Sequence, residues 1–258
     1  MTRPNSVLFF GFGKMGQALA AGLLRGGQPP TSLHILTRAS NRAAIAAMGL
    51  APVEEPPAHA DLIISAVKPG VFHGVWAERF GGRPLENRPL LLSAMARVSL
   101  SELTATGAAP ARVMTTLACA FGQGVGVWDT SEERPWLASV LAAWGAHRRA
   151  ASERDFADAT VLSSLYGLTP ELVYALETAL NHNGASRSMQ ELVVPVLLAA
   201  LADLERRRAH EPGLHPLSIT DAVSSPGGTT AAMRQTLYEA GFYATLARAV
   251  EAASARAR

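Results

Sequence analysis

Gly11, Gly13 and Gly16 stand at G-x-G-x-x-G spacing directly after the apolar run "VLFF" of residues 7–10. Each position has a physical reason to lack a side chain. The first allows a tight turn, the second lets backbone approach a pyrophosphate, and the third lets a following helix pack closely on the strand. "KMGQALAAGLLR" follows with helical periodicity, so the loop opens on a helix N-terminus, where free N–H groups and the positive dipole end attract phosphate. Phe12, Lys14 and Met15 fill the loop and belong to the same candidate cofactor site.

The end of the second strand decides which dinucleotide fits. An NAD site wants a carboxylate about twenty residues past the loop for the ribose 2′-hydroxyl. Here the segment reads "TRASNR", and no acidic residue precedes Glu54. Thr37 and Ser40 can hydrogen-bond a phosphate, while Arg38 and Arg42 can pair with its charge, which favours NADP. The competing reading is a pair of surface arginines at the start of a helix.

"SPGGTT", residues 225–230, places two adjacent hydroxyls behind a turn at the head of another helix-like segment. Gly227 and Gly228 allow the bend, and the helix N-terminus beyond them can receive a carboxylate. Thr229 can serve as the helix cap, which leaves Thr230 as the hydroxyl free for chemistry. The only two lysines are Lys14, in the glycine loop, and Lys68, in "AVKPG" at 66–70.

The elements that must position these groups follow from periodicity. Apolar runs at 7–10, 33–38, 61–67 and 89–95 alternate with helix-like segments, the pattern of a parallel, doubly wound sheet buried on both faces. Beyond residue 150 the chain reads as long helical segments poor in strand signals. The expected organisation is an α/β Rossmann domain over 1–150 and an all-α dimerisation and substrate domain over 151–258. The helical half is too apolar to stand alone, so a homodimer is expected through "VVPVLLAAL" and "FYATLARAV".

Composition narrows the class. Hydrophobic residues make up 48% and charged residues 17% of 258, as in a globular protein with a sizeable core. The net charge of +2 is spread out and no aromatic-interleaved basic stripe appears, which argues against nucleic acid as a partner. The longest apolar stretch, from Val193, is about half a membrane span and contains Pro195. "VLFF" reads as a strand and not a signal segment, so a cytoplasmic protein is expected. The single cysteine, Cys119, excludes an internal disulfide, and the seven histidines show no metal-ligand spacing.

Taken together, "GFGKMGQA" at 11–18, "AVKPG" at 66–70, "LLSAMARVSLSEL" at 91–103, "HPLSITDAV" at 215–223 and "SPGGTT" resemble the pyrroline-5-carboxylate reductase family. That resemblance spans nearly the whole chain. It implies a Rossmann domain, a helical dimerisation domain, and reduction of a cyclic imine by NADPH through direct hydride transfer to the imine carbon. By the same resemblance Ala66, Val67, Lys68 and Pro69 lie beside the cofactor's ribose and nicotinamide, and Thr230 hydrogen-bonds near the imine nitrogen. Lys68 and Thr230 are thereby the expected catalytic pair.

Two family signatures are altered. Where the family carries "MPNTP", Met114 is followed here by "TTLA". The family's "SGSGPAY" loop corresponds to "LSSLYGLTPELVY" at 162–174, which keeps Ser163 and Ser164 but adds Leu165 and Tyr166. Ser163, Ser164, Tyr166, Gly228, Thr229 and Thr230 form the expected substrate side. Tyr166 is either a pocket phenol or a packed residue at a domain junction. The expected substrate is pyrroline-5-carboxylate or a related imine, and the alternative is a non-catalytic NADP-binding sensor that has lost its chemistry.

Overall fold

The computed structural model describes residues 2–81 and 85–257. Four short apolar runs form parallel strands: β1 (Val7–Phe10), β2 (Leu33–Leu36), β3 (Leu62–Ser65) and β4 (Leu90–Ser93). β5 (Ala109–Thr115), β6 (Gly124–Thr130) and β7 (Gly145–Arg149) extend the sheet in the order β2-β1-β3-β4-β5-β6-β7. Every neighbouring pair is parallel except β5–β6, which is an antiparallel hairpin. The sheet is therefore mostly rather than wholly parallel. The switch follows from the short link after β5, too brief for a crossover helix, which leaves only an antiparallel return.

Side chains alternate across the strands and split the core in two. Val7, Phe9, Ile35, Leu62, Ile64, Leu92 and Val113 face one layer. There they meet α1 (Lys14–Arg25) and α2 (Arg42–Ala47), together with a helix from further along the chain, Leu137–Trp144. Leu8, Phe10, Ile63 and Leu91 face the other layer, against α3 (Phe72–Phe80) and α4 (Leu100–Thr104). Each such buried side chain contributes about 1.5–3 kcal/mol of transfer free energy. The helix Leu137–Trp144, α5, brings Trp144 into full burial, and its indole Nε1 donates to the Leu19 carbonyl at 2.8 Å.

Residues up to Ser163, with the C-terminal end from Arg256, pack as one compact unit, and Ser164–Ala255 as another. A long helix, α6 (Glu153–His182), carries the chain across that division. It runs unbroken through Gly167 and Pro170, so the segment at 162–174 that corresponds to the family's serine- and glycine-rich loop is helical here. The rest of the second unit is α7 (Arg187–Gln190), α8 (Val193–His210), α9 (Pro216–Val223), α10 (Thr229–Glu239) and α11 (Phe242–Ala257). Pro195 falls in the first turn of α8, where the missing N–H has no helical partner to lose. Within Ser164–Ala255 only Gln190 and Val193 are buried, while Leu198, Leu201, Met233 and Tyr238 are largely exposed.

Candidate functional site

The glycine loop leaves β1 through Gly11 at φ +93°, a conformation that side-chain-bearing residues rarely adopt. A Cβ at Gly11 would also sit 2.6 Å from Val67 Cγ1, and one at Gly16 would lie 2.7 Å from the Gly11 carbonyl oxygen. The turn thus requires glycine twice, once for φ and once for the close seat of α1. Gly13 caps α1 with backbone alone, and a Cβ there would meet nothing within 4 Å. Open space beside Gly13 and the unpaired N–H groups of the first helical turn make a cradle for an anion. No acidic side chain lies in that turn to compete for it.

A cavity of about 520 Å³ opens at this loop. Gly11, Phe12, Gly13, Thr37, Arg38, Ala66, Val67 and Lys68 all line it, so three separate sequence segments converge on one space. Phe12 does so through its backbone, since its ring is buried against Phe9 at 5.8 Å. Lys14, Met15, Gly16 and Pro69 adjoin the wall without lining it, and Met15 packs against the core. Arg42 is not on the wall either: its guanidinium turns outward to Glu54 at 3.5 Å. Ser40 lines the cavity, as do Asn41, Val71, Val75 and Arg79, which the sequence reading did not single out. Spacing was the available signal, because Val71, Val75 and Arg79 recur every four residues on one helix face.

The charge of the lining selects the ligand. Arg38, Lys68 and Arg79 face the cavity and no carboxylate does. Thr37 Oγ1 accepts from Asn41 Nδ2 at 2.8 Å, which holds the turn after β2. A dinucleotide with an additional phosphate on its ribose therefore fits this donor set, whereas the carboxylate that a free 2′-hydroxyl would want is missing.

The substrate-side candidates lie on helices. Ser163 donates to the Thr160 carbonyl at 2.8 Å within α6, and Tyr166 is exposed on the same helix. Gly227 adopts φ +72° and Gly228 is the N-cap of α10, so Thr229 is the first helical residue and not the cap. Neither Thr229 nor Thr230 engages its hydroxyl with any described residue. The cofactor-side candidates belong to the first compact unit, while Ser164, Tyr166 and Gly228–Thr230 belong to the second.

Other titratable groups are structural. Cys119 is fully buried, and burial pushes its thiol up to about 11, which removes it as a nucleophile. Buried Arg112 is held by both Glu153 carboxylate oxygens at 2.8 and 2.9 Å, by Asp129 at 3.4 Å, and over the Phe156 ring. This clamp ties β5 to the start of α6. Among the described residues no cluster of three His, Cys, Asp or Glu side chains could hold a metal.

Strand, glycine loop and helix, with a basic cavity at the strand ends, define a Rossmann-type dinucleotide-binding unit followed by a helical one. Residues 6–97 match the family described as NADP oxidoreductase coenzyme F420-dependent, and residues 153–258 match pyrroline-5-carboxylate reductase dimerisation. Pyrroline-5-carboxylate reductase 3 of Bos taurus is 30% identical, across 97% of this chain and 83% of that protein. Pyrroline-5-carboxylate reductase of Pisum sativum is 29% identical, across 97% and 94%. The crystal structure of Plasmodium falciparum pyrroline carboxylate reductase with NADP bound superposes with a TM-score of 0.82 at 22% identity, covering 98% of this chain and 96% of that one. The chain belongs to the pyrroline-5-carboxylate reductase family.

Proposed function

We propose that this chain reduces pyrroline-5-carboxylate, a five-membered cyclic imine bearing a carboxylate, to proline with NADPH. The observation that carries the cofactor half is the basic cavity at Gly11–Gly13, with no carboxylate on its wall. Family membership across both halves of the chain carries the substrate half. The division of labour is a dinucleotide half within residues 1–150 and a substrate and dimer half within 151–258.

When bound, the nicotinamide supplies a hydride, and the remaining work is positioning. Gly11, Gly13 and the first turn of α1 hold the pyrophosphate, and Thr37 and Arg38 the 2′-phosphate. Lys68 leads into Pro69 in an extended conformation and lines the cavity, and its assigned role is at the ribose on the nicotinamide side. Reduction removes the charge of a protonated imine and leaves an amine, so a neutral hydroxyl suits the nitrogen better than a cation would. Thr230 supplies that hydroxyl, and the N–H groups at the start of α10 receive the substrate carboxylate.

The exposed apolar faces of the helical unit support a homodimer. No helix among the described residues is long and apolar enough to cross a membrane.

Loss of NADPH absorbance on adding pyrroline-5-carboxylate, beside a panel of other cyclic imines, tests the reading. Thr230→Ala should lower kcat by about tenfold or more while leaving NADPH affinity unchanged. Unchanged turnover would remove Thr230 from the mechanism. The bulk that Leu165 and Tyr166 add on α6 favours one second reading, a nucleotide sensor. NADPH binding without turnover of any imine in the panel would establish it.

A further inference from the structure

The cofactor cavity has a wall that the glycine loop and the β2 end do not build. Val71, Val75 and Arg79 line it from one face at the head and along the length of α3. Two valines followed one turn later by a guanidinium suit a flat heterocycle whose attached ribose carries an anion. The other claims on Arg79 are weak. Its Nη1 meets the Glu54 carbonyl at 3.4 Å and its Nε the adjacent Glu78 at 3.3 Å, both partners being at the exposed surface. Arg38, across the chain at the end of β2, forms no ion pair with any described residue, and it lines the same cavity. Arg42 is the arginine that the spacing after β2 would nominate beside Arg38, yet it is off the wall, at the exposed surface beside Glu54.

We propose that Arg79 of α3 is the second guanidinium that, with Arg38, holds the 2′-phosphate of NADP, and that Arg79 thereby sets the preference for NADP over NAD. The inference rests on the NADP reading above and assigns to α3 a role that the strand-to-turn segment cannot fill alone. A ribose phosphate monoester carries roughly −1.5 to −2 charge at neutral pH, so a single guanidinium leaves it undercompensated. Arg38 and Arg79 together match it, with hydrogen bonds strengthened by charge on both partners.

The test is a direct titration of NADPH and of NADH against the wild type, Arg38→Ala and Arg79→Ala, followed by nucleotide fluorescence without substrate. Arg79→Ala should weaken NADPH about tenfold or more and change NADH less than about twofold. Retained NADH affinity also reports that the variant is folded. If Arg38→Ala weakens NADPH while Arg79→Ala does not, the proposal for Arg79 is overturned and the NADP reading stands. Equal weakening of both nucleotides by Arg79→Ala overturns it as well, because Arg79 would then serve the shared adenosine portion. If the wild type binds NADH as tightly as NADPH, the NADP reading fails, and the proposal fails with it.

Discussion

At the residue scale, His147 shows what the altered family segment has gained. The family's proline after the methionine is here Thr115, buried at the end of β5, and a threonine offers a hydroxyl where proline offers nothing. His147 on β7 meets that hydroxyl with Nε2 at 2.7 Å. Burial pushes the His147 pKa below its ordinary 6.5, with the backbone at Gly145 and Leu141 pulling partly back. Its Nδ1 is buried without a hydrogen-bond partner, so the neutral ring is the form the fold accepts. The sign of the pH dependence follows. An unfolded chain takes up a proton near 6.5 while the folded one resists, so stability is lost as pH falls below that value until the lower native pKa is reached. Denaturation midpoints measured from about pH 7 down to about pH 5 should fall more steeply for the wild type than for His147→Gln. Parallel curves for the two proteins would show that His147 titrates as in an unfolded chain.

At the element scale, the same contact depends on a glycine. Thr115, Gly126 and His147 form one row across β5, β6 and β7. The imidazole reaches Thr115 over a residue with no side chain. A Cβ at Gly126 would stand 1.7 Å from the Met114 carbonyl oxygen, and a backbone atom cannot swing aside as a flexible side chain can. Gly126→Ala should therefore cost about 2–3 kcal/mol, seen as a lower urea midpoint with an unchanged slope. A cost below about 0.5 kcal/mol would mean that β5 and β6 part easily.

This row also marks where the sequence stopped being legible. β1 to β4 are pure apolar runs, and "VLFF", "LHIL", "LIIS" and "LLLS" announce strands buried on both faces. β5 contains Pro110 and Arg112, β6 is interrupted by Gly126, and β7 is "GAHRR". Their local preferences say loop or surface, and backbone pairing in the sheet makes them strands, with Arg112–Glu153 and His147–Thr115 pairing their polar side chains. α6 departs from the family pattern in the opposite direction: the segment at 162–174 that corresponds to a family loop is helical through Gly167 and Pro170. The cavity was legible where the glycine loop's own backbone makes it, at Gly11 and Gly13. It was illegible at Arg79, because that residue reaches the cavity wall from α3 and not through a motif.

At the scale of the molecule, the helical unit lacks what a stable unit needs. Val194, Leu198 and Leu201 share one stripe of α8 at spacings of four and three residues, and each is exposed. Phe242, Leu246 and Val250, four residues apart, are likewise exposed along α11. Two such stripes in water leave more exposed apolar surface than monomers commonly tolerate. Burial of each Leu198 or Leu201 side chain recovers about 1.5–3 kcal/mol, and in a symmetric pair each is buried twice. Association and stability must then be linked, since a partner that binds only the folded chain raises the melting temperature with concentration. The wild type should sediment as a dimer or larger, with a Tm that climbs as protein concentration rises. Leu198→Asp combined with Leu201→Asp should dissociate it and remove that climb, while NADPH affinity in the separate Rossmann-type unit changes little. A wild type that sediments as a monomer, with a Tm independent of concentration, would mean these stripes are covered within the chain itself.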